Sequence, residues 1–377
     1  MRPRRHDYHD GLVSARRKQG WRAPRSRLAA GTIALLGTLA LCVPAASLAA
    51  PVAPPGFFGV DATNPTTDDF RFMARGDVGI YRAVIPFRAI KPRPGVPYNW
   101  SYPDYLVLEA ARSGIDLLPI LYGSPPWISQ EISAPPIHSS AAREEWRQFL
   151  AAITARYSPG GRFWQQHPYQ PRRPIRVWQV WNEPNSITWW GPRPNPWEYA
   201  GLLRRSERAI HSVDPAARIL TAGIVAHPTN SKAIPGRTFL RKLFSSRRIA
   251  GVADAVAYHP YSSSVKGAGR QLAGARKSLR GTPGARLPLW MTEIGWGTTG
   301  PRDHPLIKTA RGQNRALRQT FEMLLRRRVK LGIERALWYH WSDEIDDLCL
   351  WCETSGLLDS RLQPKRIFGT FRSIAVR

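Results

Sequence analysis

Two glutamates, Glu183 and Glu293, sit 110 residues apart in the chain, yet each closes a run of the same kind. The first run, Ile175 to Asn185, is apolar and β-branched until Asn182-Glu183-Pro184, where proline ends any strand ladder. The second, Leu287 to Trp296, is apolar until Thr292-Glu293. Each run has the pattern of a strand buried on both faces that delivers a carboxyl at its C-terminal end. Two carboxyls facing one another suit acetal hydrolysis: one protonates the leaving oxygen, and the other attacks the anomeric carbon or activates water. The bland alternative, a buried acid pair held by arginine, also fits two such residues taken alone.

The elements that must bring the two acids together repeat along the chain. Candidate strands run over 57–61, 79–87, 115–122, 175–183, 218–225, 255–261, 287–295 and 335–342, eight in all. Helical patterns with apolar positions three and four apart fall between them, as at 141–157, 197–213 and 309–331, and a last helix is expected near 365–376. Eight strand-helix units without internal repeats predict an α/β fold, a (β/α)8 TIM barrel, in which all eight strand ends surround one pocket. The fourth and seventh ends then face one another. If Leu289, Met291 and Glu293 share the interior face, period-two alternation puts the acid at the top of the barrel.

Other strand ends carry groups of the right type. Ala255, Ala257, His259 and Tyr261 share one face, so two small residues are followed by two hydrogen-bonding ones. Arg82 lies inside the second strand, Trp127 follows the third, Trp189 and Trp190 the fourth, and Trp341 stands near the end of the eighth. Flat aromatics stack on the apolar faces of sugar rings, and Trp296 joins them as a candidate contact for an acceptor. Neither a phosphate-binding loop nor a metal-ligand spacing occurs, so no cofactor and no metal is expected.

Composition bounds the rest. Length and a 43% hydrophobic content allow one large domain over 57–377, behind a linker at 51–56 and a leader at 1–50. Nine Arg or Lys against Asp7 and Asp10 fill residues 1–27, an apolar segment covers 28–43, and Ser47-Leu48-Ala49 suits signal peptidase. Secretion after cleavage and retention as a membrane anchor, with the catalytic domain outside, are both open. The net charge of +28 is scattered rather than gathered with aromatics, and no zinc-finger, RNA-recognition or helix-turn-helix signature is present, so no nucleic-acid partner is expected. An Arg-rich solvated surface and an acidic polysaccharide partner both account for the charge. Cys349 and Cys352 are a candidate disulfide pinning a loop, and the acidic run 343–347 reads as a solvated loop. Oligomeric state is not legible.

Val180-Trp181-Asn182-Glu183-Pro184-Asn185, with Trp290-Met291-Thr292-Glu293 downstream, resembles the retaining glycoside hydrolases of clan A. Within that clan the chain looks most like glycoside hydrolase family 39 and bacterial exopolysaccharide hydrolases. Tyr81-Arg82, Pro125-Pro126-Trp127, His259-Pro260-Tyr261 and Gly356-Leu357-Leu358-Asp359 extend the likeness across 57–377. The resemblance implies that Glu183 is the acid/base and Glu293 the nucleophile. By the same resemblance Asn182 holds the sugar 2-hydroxyl, Tyr261 tunes Glu293, His259 and Arg82 complete the polar wall, and Trp341 is the platform under the sugar. Family members commonly carry a β-sandwich beside the barrel, whereas this sequence runs on only to the eighth helix. The expected activity is hydrolysis of O-glycosidic bonds in an oligo- or polysaccharide, with endo action preferred; a non-catalytic polysaccharide-binding barrel and a transglycosylase built on the same residues are the alternatives.

Overall fold

The computed structural model describes residues 52–376 apart from 302, 345–348 and 350. The expected leader at 1–50 therefore lies outside the described residues, as do Ile345 to Asp347 of the acidic run. In chain order the elements are β1 (Phe58–Asp61), α1 (Thr67–Arg75), β2 (Ile80–Pro86), α2 (Phe87–Ile90), α3 (Ser101–Arg112), β3 (Asp116–Tyr122), α4 (Ser140–Tyr157), α5 (Arg162–Gln166), β4 (Val177–Val180) and α6 (Pro196–His211). They continue with β5 (Arg218–Leu220), β6 (Ile224–Val225), α7 (Gly236–Ser245), β7 (Val256–His259), α8 (Val265–Leu279), β8 (Leu289–Met291), α9 (Ala310–Leu331), β9 (Ile333–Tyr339) and α10 (Arg366–Ala375). Side-chain caps start several helices: Thr66 forms a capping box with Asp69 on α1, and Asn195 accepts from the first turn of α6.

All strand pairs are parallel, in the order β5-β4-β3-β2-β1-β9-β8-β7-β6. This curled sheet with its helices fits a (β/α)8 barrel. Its two ends are halves of one expected strand. The run 218–225 breaks at Thr221 to Gly223, so β5 pairs with β4 and β6 pairs with β7, while bridges Asn182↔Gly223 and Leu220↔Ala255 join the two sides. Two local contacts cause the break. The Thr221 hydroxyl accepts from the Ala257 amide, and the Tyr199 hydroxyl accepts from the Ala222 amide, so side chains replace ladder partners.

Two apolar layers hold the barrel. A small buried cluster of Ile80, Leu118, Leu220, Ala255, Ala257, Trp290 and Leu337 fills the bore, and a much larger one lies between strands and helices. The bore cluster fixes which face of each strand points inward, and it corrects one expectation. Trp290 is interior, so Leu289 and Met291 point outward into the helix layer, the reverse of the predicted face. Glu293 enters the pocket because β8 ends at Met291 and the chain beyond it no longer alternates.

Candidate functional site

The fourth strand end is built by backbone inversion. β4 stops at Val180, and both Trp181 (φ 73°) and Glu183 (φ 36°) adopt left-handed conformations, which cost a non-glycine residue about 1–3 kcal/mol each. Regular alternation would point Trp181 into the bore beside Gln179. The inversion instead packs its ring in the outer layer among Tyr122, Trp146 and Trp190, with Nε1 donating to the Trp189 carbonyl at 2.5 Å. Asn182 and Glu183 are thereby turned towards the pocket. The Glu183 amide is secured by the Gly223 carbonyl at 3.0 Å.

Arg82 is the centre of the polar network. It is 1% exposed and projects from β2 above Ile80. Its Nη1 donates to Asp61 Oδ2 and Glu293 Oε1, both at 2.5 Å; Nη2 donates to Asn182 Oδ1 at 2.9 Å and Nε to Gln179 Oε1 at 2.7 Å. One guanidinium thus ties together β1, β2, β4 and the end of β8. Tyr261 donates to the other oxygen of Glu293 at 2.8 Å.

His259 connects the two acids. Its Nδ1 lies 2.7 Å from Glu183 Oε1 and 3.3 Å from Glu293 Oε2, and its Nε2 is 3.0 Å from the Thr292 hydroxyl. A hydrogen on Nδ1 serves the two glutamates, and the Thr292 hydroxyl is the partner of Nε2. Gly223 makes room for the ring: a Cβ there would collide with His259 Nε2. One oxygen from each glutamate and a His259 nitrogen lie within 4.8 Å of one another. Three such atoms could also hold a cation, but the Arg82 guanidinium already supplies positive charge against Glu293.

Surroundings drive the two acids in opposite directions. For Glu293, burial works upward, but the His259 ring, the Arg82 guanidinium and the Tyr261 hydrogen bond outweigh it and hold the carboxyl below its ordinary value. For Glu183, burial dominates, the His259 hydrogen bond and charge offset only part of it, and the Glu293 charge adds to it, so its carboxyl is pushed up. Burial also raises Asp61, and it raises Tyr261 well above the usual phenol value with help from Glu293.

Of the expected site residues, Glu183, Glu293, Asn182, Arg82, His259 and Tyr261 converge. The tryptophans behave differently. Trp341, expected as a platform, is 1% exposed; its Nε1 donates to Asp69 of α1 at 2.9 Å, and its ring lies edge-on to Phe368 of α10. Trp296 is wholly buried, with Nε1 donating to the Ser262 carbonyl and its ring near Trp338. Neither presents an open face, because both rings satisfy the helix layer instead of the pocket. Trp127 and Trp189 are half-buried on their loops, the first donating to the Lys91 carbonyl and the second packed edge-on against Tyr122.

Several site groups were not anticipated. Asp61 ends β1 and Gln179 lies inside β4, both on Arg82, and His340 Nε2 stands 3.8 Å from Asp61 Oδ1. Alternation in Gly59 and Asp61, the logic applied to the seventh strand, would have found the first. The half-buried Trp351 lies 5.0 Å from the Tyr261 ring and 6.1 Å from Tyr339. The disulfide Cys349–Cys352, with Cα atoms 5.2 Å apart, brackets Trp351 and fixes that aromatic wall beside Glu293.

No protein-family model matches the chain, and no curated protein does. Solved structures match at low identity. A family 39 glycoside hydrolase from the gut symbiont Bacteroides cellulosilyticus WH2 aligns at 19% identity over 85% of this chain and 64% of its own, with a TM-score of 0.62. A monomeric beta-xylosidase from Caulobacter crescentus CB15 aligns at 18% identity over 85% of this chain and 69% of that one, TM-score 0.63. Native xylanase 10B from Thermotoga maritima aligns at 13% identity over 85% of this chain and 95% of that one, TM-score 0.57. The chain spans under two thirds of the length of the first of these. What they share with this chain is the fold.

Proposed function

We propose that the chain is a retaining glycoside hydrolase acting on O-glycosidic bonds of an oligo- or polysaccharide. The observation that carries this reading is the pair Glu183 and Glu293, with oxygens within 4.8 Å of one another and carboxyls driven in opposite directions by their surroundings. Retaining enzymes place their two carboxyls about 5–5.5 Å apart, whereas inverting ones leave about 6.5–9.5 Å for a water. A closest approach of oxygens within 4.8 Å is compatible with the retaining arrangement.

In the first step a Glu293 oxygen bonds to the anomeric carbon as the glycosidic C–O bond breaks, and Glu183 passes its proton to the departing oxygen. In the second, Glu183 takes a proton from water, the water oxygen bonds to the anomeric carbon, and the bond to Glu293 breaks. The configuration is retained and both carboxyls return to their starting states. Arg82 and Tyr261 keep Glu293 ionised and aimed, His259 holds Glu183, and Asn182 is the contact for the sugar 2-hydroxyl. Trp351 and Tyr339, beside Tyr261, take the role of sugar platform first assigned to Trp341.

The basic and apolar leader favours an exported enzyme, released or anchored. The net charge of +28 favours an acidic polymer as substrate. The xylosidase and xylanase among the structural neighbours put xylosides first in a substrate panel. The test is hydrolysis of aryl glycosides and natural polysaccharides by the wild type, Glu183→Gln and Glu293→Gln, following the first-formed anomer by NMR. Loss of turnover in both variants with retained configuration supports the assignment. A wild type that binds polysaccharide without turnover, as tightly as both variants, would instead make it a binding barrel.

A further inference from the structure

The end of the barrel opposite Glu183 and Glu293 holds a second concave site. A cavity of about 390 Å³ opens among the first residues of the strands, where Ile80 pairs with Asp116, Val177 with Arg218, and Trp290 with Arg335. Its floor is apolar, formed by Ile80, Leu117, Val177 and Trp290. Its rim is five arginines: Arg172, Arg173 and Arg176 from the segment entering β4, Arg218 from β5 and Arg335 from β9.

Their partners do not neutralise them. Arg173 reaches Asp116 at 2.6 Å, and Arg218 forms a two-pronged pair with Glu334 at 2.8 and 2.9 Å. The other three form no ion pair among the described residues, although Arg335 lies close enough to Glu334 to lower that carboxyl. Arg172 donates to the Pro159 carbonyl, Arg335 donates to the Glu334 carbonyl at 3.0 Å and lies 5.6 Å from the Trp290 ring centre, and Arg176, whose carbonyl accepts from the Arg218 amide, makes no side-chain hydrogen bond among the described residues. Arg218 sits 6.0 Å from the same ring, so Trp290 orients two guanidiniums from below.

Cations without an ion pair around an apolar floor make a field of one sign, and an apolar wall beside them strengthens it. The same geometry strengthens attraction for an anion, and guanidiniums present paired N–H donors that match phosphate, sulfate and carboxylate oxygens. We propose that this basin is a binding site for a multivalent oxyanion, distinct from the catalytic pocket. Two sources carry that chemistry: a free inorganic anion, and the acidic groups along a polysaccharide.

The test is calorimetric titration of the full chain at fixed ionic strength, with inorganic pyrophosphate in one arm and a heparin-derived tetrasaccharide in the other. The variant Arg172→Gln/Arg176→Gln/Arg335→Gln removes the three rim cations that form no ion pair, and Arg311→Gln/Arg315→Gln/Arg361→Gln removes the same charge elsewhere. The proposal expects binding that weakens at least 30-fold in the rim variant and less than threefold in the control. Arg176→Gln alone, at an exposed residue, should weaken it several-fold without loss of fold. Pyrophosphate binding without tetrasaccharide binding supports a free anion; binding of both, with mutual competition, supports the polymer. No binding in either arm, or equal loss in the rim and control variants, overturns the site. Glu183→Gln should leave the titration unchanged, which separates this outcome from the fate of the catalytic reading.

Discussion

His259 Nδ1 stands between two carboxylates, 2.7 Å from Glu183 and 3.3 Å from Glu293, and a single ring nitrogen thereby couples two groups of opposite electrostatic fate. Removing it must shift both. The imidazole pulls each carboxyl downward, on Glu183 by hydrogen bond and charge and on Glu293 by charge. In His259→Ala both limbs of the pH profile of kcat/KM should therefore move to higher pH, while kcat falls. A ring that served only packing would lower the rate and leave both limbs in place.

Replacing each glutamate by glutamine should change thermal stability in opposite directions. Glu293 is held below its unfolded value, so its charge contributes stability that is present above about pH 4.5 and lost as the pH falls through the folded value. Glu183 is raised, so its ionisation opposes folding at high pH and the penalty fades as the pH falls. At pH 8, Glu183→Gln should raise Tm and Glu293→Gln should lower it, each by about 2–4 °C, and the gap should narrow towards about pH 4. Activity should fall in both, about 10²–10⁴-fold for Glu183→Gln with a poor leaving group. Scanning calorimetry at the two pH values checks the sign.

Gly223→Ala should destabilise the chain by about 1–3 kcal/mol, because the new Cβ meets the His259 ring. The ring has no slack, being fixed at both nitrogens, so kcat/KM should drop with stability. Combining Gly223→Ala with His259→Ala should recover most of the lost Tm and none of the activity. Two additive losses in that double variant would place the strain elsewhere.

Opening the Cys349–Cys352 disulfide should matter more for substrate than for folding. The bridge spans a sequence separation of three, so its entropic contribution is about 2 kcal/mol or less. Trp351, however, is held against Tyr261 by that loop. Cys349→Ser/Cys352→Ser should raise KM several-fold with kcat and Tm little changed. Steady-state kinetics beside a melting curve would separate the two effects.

The barrel and the two glutamates are legible because strand ends are marked by composition, as apolar runs that stop at a polar residue; Arg82 lies inside its strand, and Asn182 follows from the resemblance. The faces were less so. Glu293 was assigned to the interior by alternation from Leu289, yet the bore is filled by Trp290, and the acid arrives only because β8 has ended. Trp181 inverts its backbone and exchanges its place with Asn182, which no periodicity encodes. The fifth strand broke where Thr221 and Tyr199 supplied side-chain partners to the backbone. Trp341 as a sugar platform and Trp296 as an acceptor contact both rest on tryptophan, which suits packing as well as stacking, and only the neighbours Asp69 and Ser262 decide between them. Asp61 also closes an apolar run, Phe57 to Val60, with an acid, but that run is short.

Trp290 fills the bore with its indole and lies three residues before Glu293, which stands beyond the end of that strand. It acts as a stopper between an acidic chamber above and a cationic basin below, and no solute can pass between them. Anything seated at the lower end meets one side of that stopper, while the two carboxyls stand on the other.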